Sequence, residues 1–221
     1  GAWLCSLAAT PGSMGAQMAL GSLADQECRW FRAVASDDDA TVRWFLEQTI
    51  DINMKDSRGL TALMIAAASG HENCLWLLLK QGAEVDAIDN LGWTALTHAA
   101  FKGQDECLRL LIEGGAFLDA KDFLGTTPAM RAALSGRESC LRLLADHGAN
   151  LHAKDNLGIV AATHATRKGH GACARLIEQH GQPAKGGAGT TLLGHRSFTL
   201  PAKRDSPVRP ASFKPRAAAA Y

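Results

Sequence analysis

Sulfur and imidazole are the reactive groups that stand out in this chain, with six cysteines and eight histidines among 221 residues. Together they can ligate zinc, form disulfides or build a thiolate nucleophile, and each chemistry demands its own spacing. Four of the cysteines, Cys74, Cys107, Cys140 and Cys173, follow one another at a constant interval of 33 residues. Zinc needs its sulfurs about 2.3 Å from one ion, and a disulfide needs Cα atoms within about 7 Å. A constant long interval instead puts each thiol at the same point of a separate unit, and packed helices lie about 8–10 Å apart. The four are expected to be buried, reduced, core-filling residues, which predicts a reducing compartment, cytoplasmic or nuclear. His98 and Cys107 share one unit, but each has an ordinary structural place there. His71 and His170 follow turn glycines and are expected to serve turn hydrogen bonding. No Walker loop, dinucleotide-binding glycine fingerprint, H-E-x-x-H or G-x-S-x-G occurs. The expectation is a non-enzyme with no catalytic residue, metal or cofactor.

The interval of 33 governs far more than cysteine. Asp recurs at 56, 89, 122 and 155, and Gly at 59, 92, 125 and 158, at 70, 103, 136 and 169, and at 82, 115, 148 and 181. Such a period means stacked small units, none able to bury its apolar face alone. In Asp89–Lys121, the stretch Asp89-Asn90-Leu91-Gly92 is turn chemistry, with Gly92 free to take positive φ. Thr94 can cap a short first helix, about Ala95–Phe101, and its counterpart Thr127 precedes Pro128, a favoured first helical residue. Gly103 then separates a second helix, about Asp105–Glu113, whose Cys107, Leu108, Leu110, Leu111 and Ile112 lie at helical spacing. Gly114-Gly115 closes it through a left-handed cap.

This plan, with Gly59, Thr61, Leu63, Ala66, Ala67, Gly70, Leu78, Leu79, Gly82 and Ala83 repeated in the same columns, resembles the ankyrin repeat over about Leu23–Gly181. Met64, Thr97, Met130 and Thr163 stand where that family usually has His. A weaker first unit, 23–55, keeps Ala33, Phe45 and Leu46 but puts Asp37 and Thr49 at glycine columns and Asp37-Asp38-Asp39 in the inter-helix turn. The last unit has Val160 for the capping Thr, Ala162 for Leu and Thr166 for Ala. The resemblance implies an all-α ankyrin solenoid of units 23–55, 56–88, 89–121, 122–154 and 155–182, with hairpin-like fingers along one edge. The unit TPAMRAALSGRESCLRLLADHGANLHAKD is also similar to a repeat of the photoreceptor ankyrin-repeat proteins, which are linked to transcriptional repression.

Charge divides the chain. Residues 183–221 carry seven Lys/Arg against Asp205, a balance of +6, and the rest of the chain stands at −5. An acidic body argues against a nucleic-acid groove in the repeats. Five of the seven prolines also fall in 183–221, and with its glycines and the Ala217–Ala220 run this segment is expected to be disordered, as is 1–22 to be flexible. No apolar run reaches the ~18 residues that span a bilayer, and Gly1–Leu20 lacks the basic start of a secretory signal. Neither membrane nor nucleic acid is an expected partner. Arg204, Pro207 and Pro210 match an SH3-ligand spacing, and Ser206-Pro207 a proline-directed phosphorylation site, beside the plainer reading of a solvated linker.

Columns that differ between units are the candidates for recognition. Positions 98, 101 and 102 share one helix face, as do 131, 134 and 135, and 164, 167 and 168. By resemblance, the first helices line a concave face with the fingers beside it. The partner-binding residues expected there are Leu60, Leu91, Trp93, His98, Phe101, Lys102, Phe123, Leu124, Arg131, Leu134 and Arg167. Trp93, Phe101 and Phe123 are expected to be exposed in the free chain, and Leu91, Leu124 and Leu157 either to bind or to pack between fingers. An apolar centre with a basic end predicts a protein partner with an apolar segment and an acidic flank, bound by a monomeric adaptor, scaffold or inhibitor. Two alternatives stand beside this. One is a regulatory domain cut from a larger enzyme or channel, which the absence of an initial Met keeps open. The other, implied by the family, is a substrate of an asparaginyl hydroxylase modified at Asn53, in the finger column continued by Asp86, Asp119 and His152.

Overall fold

The computed structural model describes residues 23–48 and 50–180. The expected flexible start, the disordered tail, Ser206 and the SH3-type motif lie outside them. The described residues form ten helices and no strand: α1 (Leu23–Ala35), α2 (Asp39–Glu47), α3 (Ala62–Ser69), α4 (Glu72–Lys80), α5 (Ala95–Lys102), α6 (Asp105–Glu113), α7 (Pro128–Leu134), α8 (Glu138–Asp146), α9 (Ala161–Arg167) and α10 (Gly171–His180). Odd-numbered helices pack on one another to make an inner layer. Even-numbered helices stack into an outer layer, and each unit pairs one of each.

The inner helices stay short because both ends are specified. Thr61, Thr94 and Thr127 each accept the backbone N–H three residues on at 3.3 Å, satisfying one of the donors a helix start leaves free. Val160 cannot, and α9 begins without a side-chain cap. Left-handed glycines end α3 and α5 at Gly70 and Gly103. In the first unit Asp37 takes that conformation with φ 55°, which Asp tolerates better than most residues. Asp38 then caps α2 by accepting the Thr41 N–H at 3.1 Å, so of the three turn aspartates Asp39 already belongs to the helix.

Inner-layer helices approach closely over alanine pairs. Ala66, Ala67, Ala99, Ala100, Ala132 and Ala133 have no exposed surface. Met64, Thr97 and Met130, which replace the family's usual His, are buried core residues. The outer layer contributes Cys74, Leu75, Leu78 and their counterparts in the three units that follow, all buried. The four column cysteines are free thiols, as their interval predicted. Two donate to a carboxylate at the start of the preceding outer helix, Cys74 to Asp39 at 3.4 Å and Cys140 to Asp105 at 2.9 Å. Burial pushes Cys107 up to about 12 and raises Cys74, Cys140 and Cys173 as well, so these thiols stay protonated.

Joints between units are hydrogen-bonded at several levels. His71 donates through Nδ1 to the Val34 carbonyl at 2.8 Å, so it bridges to the preceding unit and does not serve its own turn. At the finger base, Asn53, Asp86 and Asp119 each accept the N–H of a residue 31 positions on, Glu84, Phe117 and Asn150, at 2.9 Å. At the tips, the backbone N–H groups of Asn90, Phe123 and Asn156 donate to Arg58, Leu91 and Leu124.

Two constraints therefore fall on the finger glycines. Gly125 has φ 74°, and a Cβ there would run into the Asn156 side chain and lie 2.8 Å from its backbone nitrogen. Gly158 has φ 75° in the same column, but a Cβ there would meet nothing within 4 Å among the described residues. Gly158→Ala is expected to cost about 1 kcal/mol, from backbone strain alone. Gly125→Ala should cost at least about twice as much through the added clash. Urea unfolding of the two variants checks this, and equal losses would remove the second constraint.

Candidate interaction surface

The turn aspartates fix the fingers on the inner helices. Oδ1 of Asp89 accepts the N–H groups of Leu91 and Trp93, both at 2.8 Å, and Oδ2 meets His98 Nε2 at 3.0 Å. Asp122 accepts from Leu124 and Thr126 at 2.9 Å, and its other oxygen takes the Thr126 hydroxyl and the Arg131 guanidinium. Asp155 repeats the arrangement with Leu157, Ile159 and, at 2.9 Å, His164 Nε2. In the second unit the residue nine positions on is the apolar Ile65. There Asp56 pairs with Arg58 of its own finger at 2.8 Å instead.

Burial works to raise the Asp122 and Asp155 carboxyls. It is overcome at Asp122 by the Thr126 and Arg131 bonds and the Arg131 charge, and at Asp155 by the Ile159 N–H and His164. Both sit below the ordinary carboxylate range. His98 is shifted down, because burial disfavours its charged form more than Asp89 favours it.

These pairs change the standing of several expected recognition residues. His98 and Arg131 are committed to Asp89 and Asp122 and are half-buried. Trp93 and Phe101 are half-buried too, which corrects the expectation that both stand exposed. Trp93 packs against His98 and Phe101, with ring centroids 5.1 and 5.3 Å away, while the Arg131 guanidinium of the next unit lies 4.5 Å above its ring. Leu60 is partly buried against the core. Lys102 is exposed, its amine 5.9 Å from the Phe101 ring, and Arg167 is exposed at the end of α9. Asn53, the expected modification site, has its side-chain oxygen engaged at the finger base.

The finger tips carry the exposed apolar surface. Leu91, Phe123, Leu124 and Leu157 are 59 to 82% exposed, so these leucines do not pack between fingers. Ile88 and Phe117, which the column comparison did not single out, are exposed as well. Phe123 breaks a ladder. Asn90 and Asn156, in its column, each donate a side-chain N–H to the preceding finger, at 3.2 and 3.1 Å. Phe123 cannot, and its backbone bond to Leu91 is stretched to 3.4 Å. Between the last two fingers and α7 and α9 lies a cavity of about 330 Å³ with apolar walls from Leu124, Met130, Leu134 and Leu157. Arg131 and His164 also line it, each held by its aspartate. Leu157 and His164 belong to the degraded last unit, where Leu157 was expected to bind or to pack between fingers and His164 stood in a recognition column.

Paired inner and outer helices, left-handed residues at the turns between them and fingers held by turn aspartates define a repeat solenoid. The family model for ankyrin repeats (3 copies) matches residues 30–122, and that for ankyrin repeats (many copies) matches residues 129–177. The chain belongs to the ankyrin-repeat family, whose domains generally mediate protein–protein interaction and are typically non-catalytic. Among curated proteins none matches the chain.

The downward shift of His98 has a consequence for acid stability. The unfolded chain takes up a proton near pH 6.5, whereas the folded chain resists it until lower pH. Between those points the unfolded state binds more protons, so stability falls as pH falls. Below about pH 4 the paired Asp122 and Asp155 add a second loss as they protonate. His98→Gln, which keeps a donor for Asp89 without a titration, is expected to lose less stability than the parent between pH 7.5 and 5.5. Urea midpoints at the two pH values measure the difference, and identical losses would contradict it.

Proposed function

We propose that the chain is an adaptor, scaffold or inhibitor of the cytoplasm or nucleus. It holds a segment of a protein partner across its finger tips and inner-helix face. The observation that carries this reading is the exposure of Leu91, Phe123, Leu124 and Leu157 on three consecutive fingers. Contiguous large apolar groups on a soluble surface mark a place where a partner sits. Phe123 supports the reading further. It occupies a position where Asn strengthens the neighbouring joints, and its ring is exposed there instead of buried.

The charge on this face suits a partner with an acidic flank. In residues 56–70, 89–103, 122–136 and 155–169 the carboxylates are Asp56, Asp89, Asp122 and Asp155 alone, and each is engaged within the fold. Three of them are buried, whereas Lys102, Arg167 and Lys168 are exposed. A partner approaching the fingers therefore meets apolar tips set beside surplus positive charge.

Phe123→Asn separates recognition from folding. It installs the residue that the neighbouring fingers use, so the free chain is expected to be as stable as the parent or up to about 1 kcal/mol more stable through the added hydrogen bond. Binding to proteins captured by the parent chain is expected to weaken by about 2 kcal/mol, as for a lost aromatic anchor. Thermal unfolding and titration calorimetry provide the two measurements. Undiminished binding by a stable Phe123→Asn variant would take the finger tips out of the interface.

A further inference from the structure

We infer that the cavity between fingers 122–126 and 155–159 is an anchor site for one large apolar side chain of an acidic peptide segment, with the acidic residues beside the anchor meeting Arg167 and Lys168. The inference rests on the proposed interaction function and names where on that surface the partner is held and by what chemistry.

Three observations lead to it. The cavity, about 330 Å³, lies at the small end of the range of ligand pockets, about 300–1,000 Å³. It has space for a bulky side chain and not for a folded element. Its apolar walls are Leu124, Met130, Leu134 and Leu157, and its basic side chains are each paired with an aspartate. Arg131 is bound to Asp122, and His164 to Asp155. A charged occupant would therefore find no free counter-charge inside, whereas an apolar one meets apolar walls. Leu157, on its lip, is 82% exposed, so a guest side chain would gain contact by covering it.

Charge selects among occupants. Arg167 and Lys168 are exposed on the turn that follows His164 along α9, and Lys121 and Lys154 are exposed on the finger bases. The chain's own residues 183–221 carry a balance of +6 and would be repelled from this rim. A segment carrying Asp or Glu is attracted to it, and a hydrophobic residue among those acids has the cavity to enter. An oligonucleotide would satisfy the rim but has no aliphatic group for the cavity.

The test uses a random 12-residue peptide library selected on the full chain, with a single-stranded RNA of the same length as a comparison. Enriched peptides are expected to carry one large apolar residue flanked by acidic ones. Their binding should fall at least tenfold when that residue becomes Ala. A similar fall is expected with Leu157→Ser, and with Arg167→Glu combined with Lys168→Glu, at unchanged thermal midpoints of the protein. Arg142→Glu on the outer layer should bind as the parent does. Peptides lost with Phe123→Asn but retained by Leu157→Ser would overturn the cavity as anchor while leaving the finger-tip interface standing. Enrichment of basic or wholly polar peptides would overturn the assigned chemistry, as would RNA that binds more tightly than any peptide and is lost with Leu157→Ser. Recovery of no binding peptide, or of peptides insensitive to both variants, would overturn the anchor site and the interaction surface together.

Discussion

A buried carboxylate at each of the finger turns 89, 122 and 155 is the constraint on which the rest of the surface depends. Moving a charge out of water is costly unless donors replace the water. Asp89, Asp122 and Asp155 each receive two backbone N–H groups of their own finger and one side chain from the inner helix nine residues on. The finger thus has one low-energy position relative to its helix. The exposed tips and the last cavity inherit their geometry from that position. Removing an aspartate would free several donors at once and release the finger that carries a tip residue.

The joint between units 89–121 and 122–154 shows how a departure from the pattern is accommodated. Phe123 forfeits a side-chain hydrogen bond that its neighbours make, a net loss of about 1 kcal/mol. Across the same joint Arg131 reaches back over the Trp93 ring at 4.5 Å, a contact of about 0.5–2 kcal/mol depending on its desolvation. No corresponding aromatic exists at the other tips, where Leu60, Thr126 and Ile159 take the Trp93 column. The stacked pair offsets what Phe123 gives up, and the phenyl ring stays at the surface.

The period, the helix pairs, the threonine caps and the buried thiols were all legible in the sequence, because each depends on a residue type recurring in a column. The inner-helix position that pairs with the turn aspartate was not. Its occupants are Ile65, His98, Arg131 and His164, and such variety reads as a recognition column. The structure shows one structural role filled by His or Arg in three units and abandoned in the fourth, where Arg58 takes over. Trp93 misled for a related reason. An aromatic at a finger tip looks like a hot spot until the neighbouring unit's guanidinium covers one face of it. The cavity was hidden because Leu157 and His164 stand in separate columns, and only the packed fingers bring them together with Leu124, Met130 and Leu134.

The bonds described at the joints each reach one unit away, spanning 31 residues at the finger base, 32 and 33 at the tips, 35 at the thiols and 37 at His71. The architecture is therefore indifferent to length but strict about phase. One residue inserted within a finger displaces partners at both adjoining joints together. Excising one whole internal unit would bring like against like, returning a shorter stack that obeys the same rules. Change in a lineage of such chains is cheapest when it comes in whole units, leaving single substitutions at the tips to alter what is bound.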